Sequence, residues 1–300
     1  MRCMRKNVIY LDVHFNDIIS IIKILHRGNN NMNKTIGFIG CGNMAKAMIS
    51  GIVKSKIVSN KNVIVSNPSD KSLNKVKEEY NVLVTNDNKE VAQFADIVIL
   101  SVKPYKYGEV INEIKTYLKK EVVIVTIAAG ITLEHMSNAL GSEAKVVRTM
   151  PNTPALVGEG MSALCANKSI TNDELQDVVK IFESFGKIEI LEEKLIDVVP
   201  SVSGSSPAYV YMFIEALGDG AVLQGMPRNK AYKMAAQAVL GAAKMVLETG
   251  QHPGKLKDDV CSPGGTTIEA VYTLEKNNFR GSVISAMESC TEKAIKMGKK

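Results

Sequence analysis

The sequence predicts an α/β fold, a doubly wound parallel sheet followed by an all-helical region. Three observations carry this. A glycine turn joins a short apolar run to an alanine- and methionine-rich segment within residues 35–53. Apolar β-branched runs then alternate with helix-patterned segments as far as residue 185. Beyond Leu195 no strand pattern returns.

The first strand ends at Ile39 and runs into Gly40-Cys41-Gly42-Asn43-Met44-Ala45. Strand, Gly-x-Gly-x-x-Ala turn and helix are the context of a dinucleotide fingerprint. Gly40 makes the turn, Gly42 lets a pyrophosphate approach the backbone, and Ala45 permits close packing of helix on strand. Residues Ile39, Gly40, Cys41, Gly42, Asn43 and Met44 are therefore candidate cofactor contacts, although a purely structural glycine turn has the same pattern. The next strand, 63–65, arrives at the spacing of a βαβ unit. Its end reads Ser66-Asn67-Pro68-Ser69, with Lys71 close behind. A carboxylate there would accept hydrogen bonds from the adenosine ribose. Asp70 lies beyond the proline, too late for that role. Neutral donors, Asn67 among them, favour NADP(H), with NAD(H) possible; a capped turn predicts the same residue types.

Further strands are expected at 95–102, 121–127, 146–150 and 161–166, continuous β-branched runs suited to a sheet covered on both faces. Helices are expected at 72–80, 107–118, 133–140 and 172–185. Ser101-Val102-Lys103-Pro104 ends one of the strands and places Lys103 at the carboxyl edge of the sheet, where ligands bind in such folds. Helices then follow at 207–223, 229–248, 266–276 and 282–297. Small residues crowd this part (Gly218, Gly220, Ala235, Ala238, Gly241, Ala242), allowing close helix approach and favouring at least a dimer.

The helix at 266–276 opens from Cys261-Ser262-Pro263-Gly264-Gly265-Thr266-Thr267. Its first amides have no intrahelical partner, and the two glycines leave room for a small anion beside them. A plain capped helix fits the same residues.

Composition bounds the class. Of 300 residues, 45% are hydrophobic and 23% charged, which suits a globular enzyme. The net charge of +6 is mild and its lysines are scattered, so neither a nucleic-acid arm nor a polybasic membrane patch is expected. Five cysteines without paired spacing suggest a reduced cytoplasmic protein with no metal site. Residues 1–31 stand apart as an N-terminal extension with five Lys/Arg against two Asp. Their apolar stretch is too short to span a membrane. They read as upstream sequence before a natural start at Met32, with an extra amphipathic helix as the alternative. Domains are accordingly expected at 32–195 (dinucleotide-binding) and 196–300 (helical, substrate-binding and dimerising).

With both glycine motifs placed, the chain resembles the pyrroline-5-carboxylate reductases. Residues 251–258 running into Val260-Cys261-Ser262-Pro263-Gly264-Gly265-Thr266-Thr267-Ile268-Glu269-Ala270 carry the likeness most specifically. Ser101–Pro104, Ala128-Ala129-Gly130, Met150-Pro151-Asn152-Thr153-Pro154, Ser203–Tyr209 and 240–245 extend it over residues 34–297. The resemblance implies reduction of 1-pyrroline-5-carboxylate to L-proline by hydride transfer from NAD(P)H. It also implies a homodimer or a dimer-based larger ring. Gly265, Thr266 and Thr267 are then candidates to hold the substrate carboxylate. The Thr267 hydroxyl is the candidate catalytic group beside the imine nitrogen, more by positioning than as an acid. The resemblance also points to Asn88 on the adenosine side, with an N-cap as its rival, and to Glu193 near the substrate, with a surface carboxylate as its rival. Arg148 reads as structural, and His135 and His252 as surface or loop groups. Ser205-Ser206 departs mildly from the Ser-Gly common in the family. A dehydrogenase of the β-hydroxyacid type would need a lysine in the helix after the sheet, and 203–223 contains none. A non-catalytic NADP(H)-sensing protein would not need the Gly-Gly-Thr-Thr helix start.

Overall fold

The computed structural model describes residues 32–298. The extension 1–31 lies outside them. Eight strands form one sheet in the order β3-β2-β1-β4-β5-β6-β7-β8. They are β1 (Ile36–Ile39), β2 (Val63–Ser66), β3 (Leu83–Thr85), β4 (Ile97–Leu100), β5 (Val123–Thr126), β6 (Lys145–Met150), β7 (Gly160–Ala166) and β8 (Gly186–Ile190). Within the sheet region the helices are α1 (Asn43–Ser55), α2 (Asp70–Tyr80), α3 (Asn88–Phe94), α4 (Tyr107–Ile114), α5 (Leu133–Leu140) and α6 (Asn172–Glu183).

Every strand pairing is parallel except β6 with β7. The exception follows from chain length. Only residues 151–159 separate β6 from β7, too few for the crossover that a parallel pair requires.

Side chains alternate across the sheet and both faces are apolar. Ile36, Phe38, Val63, Val65, Ile97 and Ile99 pack with Met48, Ile49 and Ile52 of α1 and Ile181 and Phe182 of α6. Ile39, Ile64, Val98 and Leu100 face the other way, against Val91 of α3, Ile111 and Ile114 of α4 and Met136 of α5. This two-sided burial is why the strands read as unbroken apolar runs. Two strands broke that pattern. β3 has three residues, and β8 (Gly-Lys-Ile-Glu-Ile) is a half-exposed edge with charged side chains facing out.

Asp96 fastens the start of the sheet. Its Oδ2 accepts from the Thr35 N–H (2.9 Å) and Thr35 hydroxyl (2.8 Å), and Lys119 Nζ donates to Oδ1 at 2.8 Å. Burial pushes its carboxyl up, but the hydrogen bonds from Lys119 and Thr35 outweigh that and hold it below the usual carboxylate range. A depressed folded-state pKa stabilises above the unfolded value, near 4, and that contribution is lost as pH falls through the folded value. Asp96→Asn should therefore lower the urea midpoint at neutral pH, and the gap to the parent should shrink below about pH 4. A gap independent of pH would contradict this.

After β8 the chain is helical: α7 (Glu193–Ile196), a π-helical turn (Pro200–Gly204), α8 (Ser206–Leu223), α9 (Arg228–Thr249), α10 (Pro253–Val260), α11 (Thr266–Lys276) and α12 (Phe279–Gly298). Ile196 and Val199 still belong to the sheet's core. Asn152 Nδ2 donates to the Ser203 carbonyl (2.9 Å), and its Oδ1 accepts from the Met161 N–H (2.9 Å), so the π-helical turn is tied to β7. The far end of α12 returns to the sheet at Gly130, whose φ is +82°; a Cβ there would stand 2.8 Å from the Gly298 nitrogen. By contrast α10 and α11 bury no residue at all. Leu223 and Leu247 are 89% and 83% exposed, and Met212, Met234 and Tyr272 are also exposed. Among the described residues no helix is long and apolar enough to cross a membrane.

Candidate active site

A cavity of about 910 Å³ opens above the carboxyl ends of β1 and β4, where the strand order reverses direction. Ile39, Gly40, Cys41, Gly42, Asn43, Met44, Asn67, Asn88 and Lys103 all line it. The strand-to-helix turn explains most of that convergence. Gly40 has φ +101°, and a Cβ there would stand 2.8 Å from the Ser101 carbonyl oxygen, so β1 and β4 close together only around a glycine. Ser101 then locks the turn, donating its hydroxyl to the carbonyls of Ile39 (3.0 Å) and Gly40 (2.8 Å). Asn67 Oδ1 accepts from the Cys41 N–H at 3.3 Å, holding the loop to the end of β2.

Gly42 is glycine for a different reason. Its φ of −77° suits any residue, and a Cβ there would meet no atom within 4 Å. The missing side chain leaves space in the cavity. Gly42 caps α1 without any side-chain cap, and the first turn carries no acidic residue. The free amides of α1 thus face a space that an anion can occupy, as a dinucleotide pyrophosphate requires. Helices α5 and α6, in contrast, are capped by Thr132 and Thr171. The residues present fit a bound dinucleotide.

At the ribose end, the last residue of β2 is Ser66, and no carboxylate follows it before Pro68. Asp87, not Asn88, caps α3, accepting from the Lys89 N–H at 2.8 Å. Asn88 is free to face the cavity. Sequence reasoning missed several lining residues: Glu113 of α4, Thr153 of the turn after β6, and Met297 near the end of α12. Thr153 lies in the Met150–Pro154 segment that carries part of the likeness, which could have flagged it, whereas nothing in the local sequence marks Glu113 or Met297.

Burial pushes the Cys41 thiol up, with Lys46 only partly opposing it, so Cys41 is a small buried side chain and not a thiolate. Among the described residues no group of His, Cys, Asp or Glu side chains could hold a metal ion.

The remaining site candidates lie elsewhere in this chain. Gly265 caps α11 with no side-chain cap, which leaves the first amides of that helix free, but neither it nor Thr266 nor Thr267 lines the cavity. Glu193 is also absent from it. Its Oε1 accepts from Arg148 Nη1 (3.1 Å) and from the Leu133 N–H (2.8 Å). Arg148 is 1% exposed and donates its other arm to Asp197 Oδ1 at 2.5 Å. One buried guanidinium thus seats α7 against β6. His135 is exposed, and His252 caps α10 by accepting from the Gly254 N–H.

Comparison with known proteins separates the two halves. Residues 35–130 match the family model described as NADP oxidoreductase coenzyme F420-dependent, and residues 193–297 match pyrroline-5-carboxylate reductase dimerisation. The chain is 52% identical over 268 residues to the pyrroline-5-carboxylate reductase of Escherichia coli (strain K12), spanning 89% of this chain and 100% of that protein. The chain belongs to the pyrroline-5-carboxylate reductase family. It is also 41% identical over 259 residues to the Arabidopsis thaliana reductase, covering 86% of this chain and 94% of the other. Among solved structures, the reductase of Plasmodium falciparum with NADP bound superimposes with a TM-score of 0.82 at 37% identity, covering 89% and 99% of the two chains. The Coxiella burnetii reductase gives 0.84 at 34% identity, covering 90% and 100%. The family is one of NAD(P)H-dependent oxidoreductases, and the uncapped, acid-free cradle in this chain suits NADP(H).

Proposed function

We propose that this chain reduces 1-pyrroline-5-carboxylate to L-proline, the last step of proline biosynthesis, using NADP(H). The observation that carries the reading is the family match, which runs the full length of named reductases and takes in both halves of this chain. When bound, the reduced nicotinamide supplies the hydride that ends on the imine carbon.

The chain's own groups account for the rest. The α1 amides hold the pyrophosphate, and Asn67 and Asn88 address the ribose end. Lys103, in the turn just after β4 at the cavity rim, lies where it can meet the cofactor. The Gly265 N–H donates to the Ser262 carbonyl (3.0 Å), so Gly265 contributes open space while the uncapped amides of Thr266 and Thr267 bind the substrate carboxylate. Thr267 hydrogen-bonds the imine nitrogen and orients it. Glu193 acts through Arg148, by seating α7, and not by touching substrate.

Since Thr267 does not line the nucleotide cavity of its own chain, a second copy supplies α11 to each site. The exposed apolar side chains of α8, α9, α11 and α12 support that reading, as does the dimerisation match over 193–297. The working unit is a homodimer or a ring built from such dimers. We place it in the cytoplasm, with no nucleic-acid or membrane partner, and divide the chain into a dinucleotide-binding part (32–195) and a helical part (196–300).

A direct assay tests this. Purified protein should oxidise NADPH in the presence of 1-pyrroline-5-carboxylate and form proline, and should not act on β-hydroxyacids with NADP. Activity on the hydroxyacids alone would install the rival dehydrogenase. NADPH binding without turnover of either would install a sensor. Helix α8 contains no lysine, which argues against the hydroxyacid chemistry.

A further inference from the structure

We infer that Glu113 is a positioning residue that fixes the direction of the Asn88 amide and so selects nucleotides carrying a phosphate at the ribose end. Three side chains lining the cavity form a chain. The Ser66 hydroxyl donates to Asn88 Oδ1 at 2.6 Å, and Asn88 Nδ2 donates to Glu113 Oε2 at 2.8 Å. Ser66 is fully buried at the end of β2, the ribose end of such a cavity, and Asn88 and Glu113 are half-buried.

The direction of the chain follows from what each group can do. An ionised carboxylate only accepts, so the Asn88 nitrogen must face Glu113 and its oxygen must face Ser66. Ser66 imposes no direction of its own. Its hydroxyl also stands 3.5 Å from the Phe38 carbonyl, so it could donate there and accept from a reversed amide. Glu113 is therefore the only member that prevents reversal. With the amide held this way, the second Nδ2 hydrogen remains for the ligand. A reversed amide would offer an acceptor oxygen to the same ligand, which a phosphate repels.

Two effects of Glu113 thus oppose each other. Its charge disfavours an anion in the cavity, and its hydrogen bond presents a donor to that anion. The proposal is that the second wins. This selects NADP(H) over NAD(H) with an acidic residue in the pocket, against the usual reading of such a residue. It rests on the assignment of the cavity to NADP(H).

Calorimetric titration of the full chain with 2′,5′-ADP and with 5′-AMP separates the possibilities. Glu113→Ala should weaken 2′,5′-ADP about tenfold, the scale of one charge-assisted hydrogen bond, and leave 5′-AMP nearly unchanged. Glu113→Gln can donate as well as accept, so it no longer fixes the direction of the amide and should weaken 2′,5′-ADP by about threefold or more. The melting temperature without ligand should not move in either variant. If both substitutions tighten 2′,5′-ADP, repulsion dominates and the proposal is overturned. If Glu113→Ala changes nothing while Asn88→Ala weakens 2′,5′-ADP, Asn88 binds unaided and the positioning role is overturned alone. If Asn88→Ala also changes nothing, the role of Asn88 at the ribose end falls with it.

Discussion

Thr267→Ala and Gly42→Val should each abolish most turnover as purified homo-oligomers, and co-expression of the two should restore it to roughly a quarter of the parent level. The first substitution removes the hydroxyl beside the imine and is expected to cut turnover by at least about tenfold while leaving NADPH affinity nearly intact. The second introduces a side chain into open space at the nucleotide cradle, at a φ of −77° that valine tolerates, so it blocks the cofactor without disturbing the turn. If each site takes its cradle from one copy and α11 from another, random mixing gives some sites free of both changes. If the site lies within one chain, every site carries one lesion or the other, and mixtures stay inactive. Chromatography of the mixture beside the activity assay makes the outcome readable. Absence of recovery despite exchanged subunits would remove the shared-site reading.

Arg148→Met should destabilise the chain by about 3 kcal/mol, at the lower end for breaking a buried ion pair. The guanidinium is buried, but its partners Glu193 and Asp197 keep 35% and 34% side-chain exposure, so water softens the loss. What remains is two carboxylates facing each other across the gap that Arg148 bridged. Only the sheet side of this corner excludes water: Cys165 is buried there, and desolvation first, then Glu193, push its thiol up to about 12. Arg148→Lys should not rescue, because a single ammonium cannot reach both carboxylates in the guanidinium's forked geometry. Adding Glu193→Gln and Asp197→Asn to Arg148→Met should recover part of the loss. Urea denaturation of the four proteins provides the check, and an Arg148→Met midpoint equal to the parent's would refute the account.

Legibility in the sequence followed burial. β1, β2, β4, β5, β6 and β7 are covered on both faces, so their largely apolar runs announced them, rich in Val and Ile in all but β7. β8 has one wet face and alternating charges, and β3 is a three-residue strand at the sheet's other end; neither stood out. Helix α10 opens at Pro253 and reads Pro-Gly-Lys-Leu-Lys-Asp-Asp-Val, with no apolar stripe to reveal it. It buries no residue in this chain. The glycine cradle was legible because its chemistry is local: six consecutive residues make the turn, the space and the free amides. Glu113 was not, since its role exists only where α4 passes the start of α3. Asn88 came between the two cases. The resemblance pointed to it, but only the structure gave the capping task to Asp87 and left the Asn88 amide to the cavity.

The bareness of α10 and α11 bears on how the chain reaches its folded form. A helix of eight or eleven residues with nothing buried has little reason to persist in water on propensity alone. If a second copy covers this half, as proposed, association is the final step of folding and not an event that follows it. Its stability is then a function of protein concentration, set by mass action, while the sheet half retains a core of its own. A newly made chain would carry an ordered nucleotide-binding half and an unfinished helical one until it met a second copy.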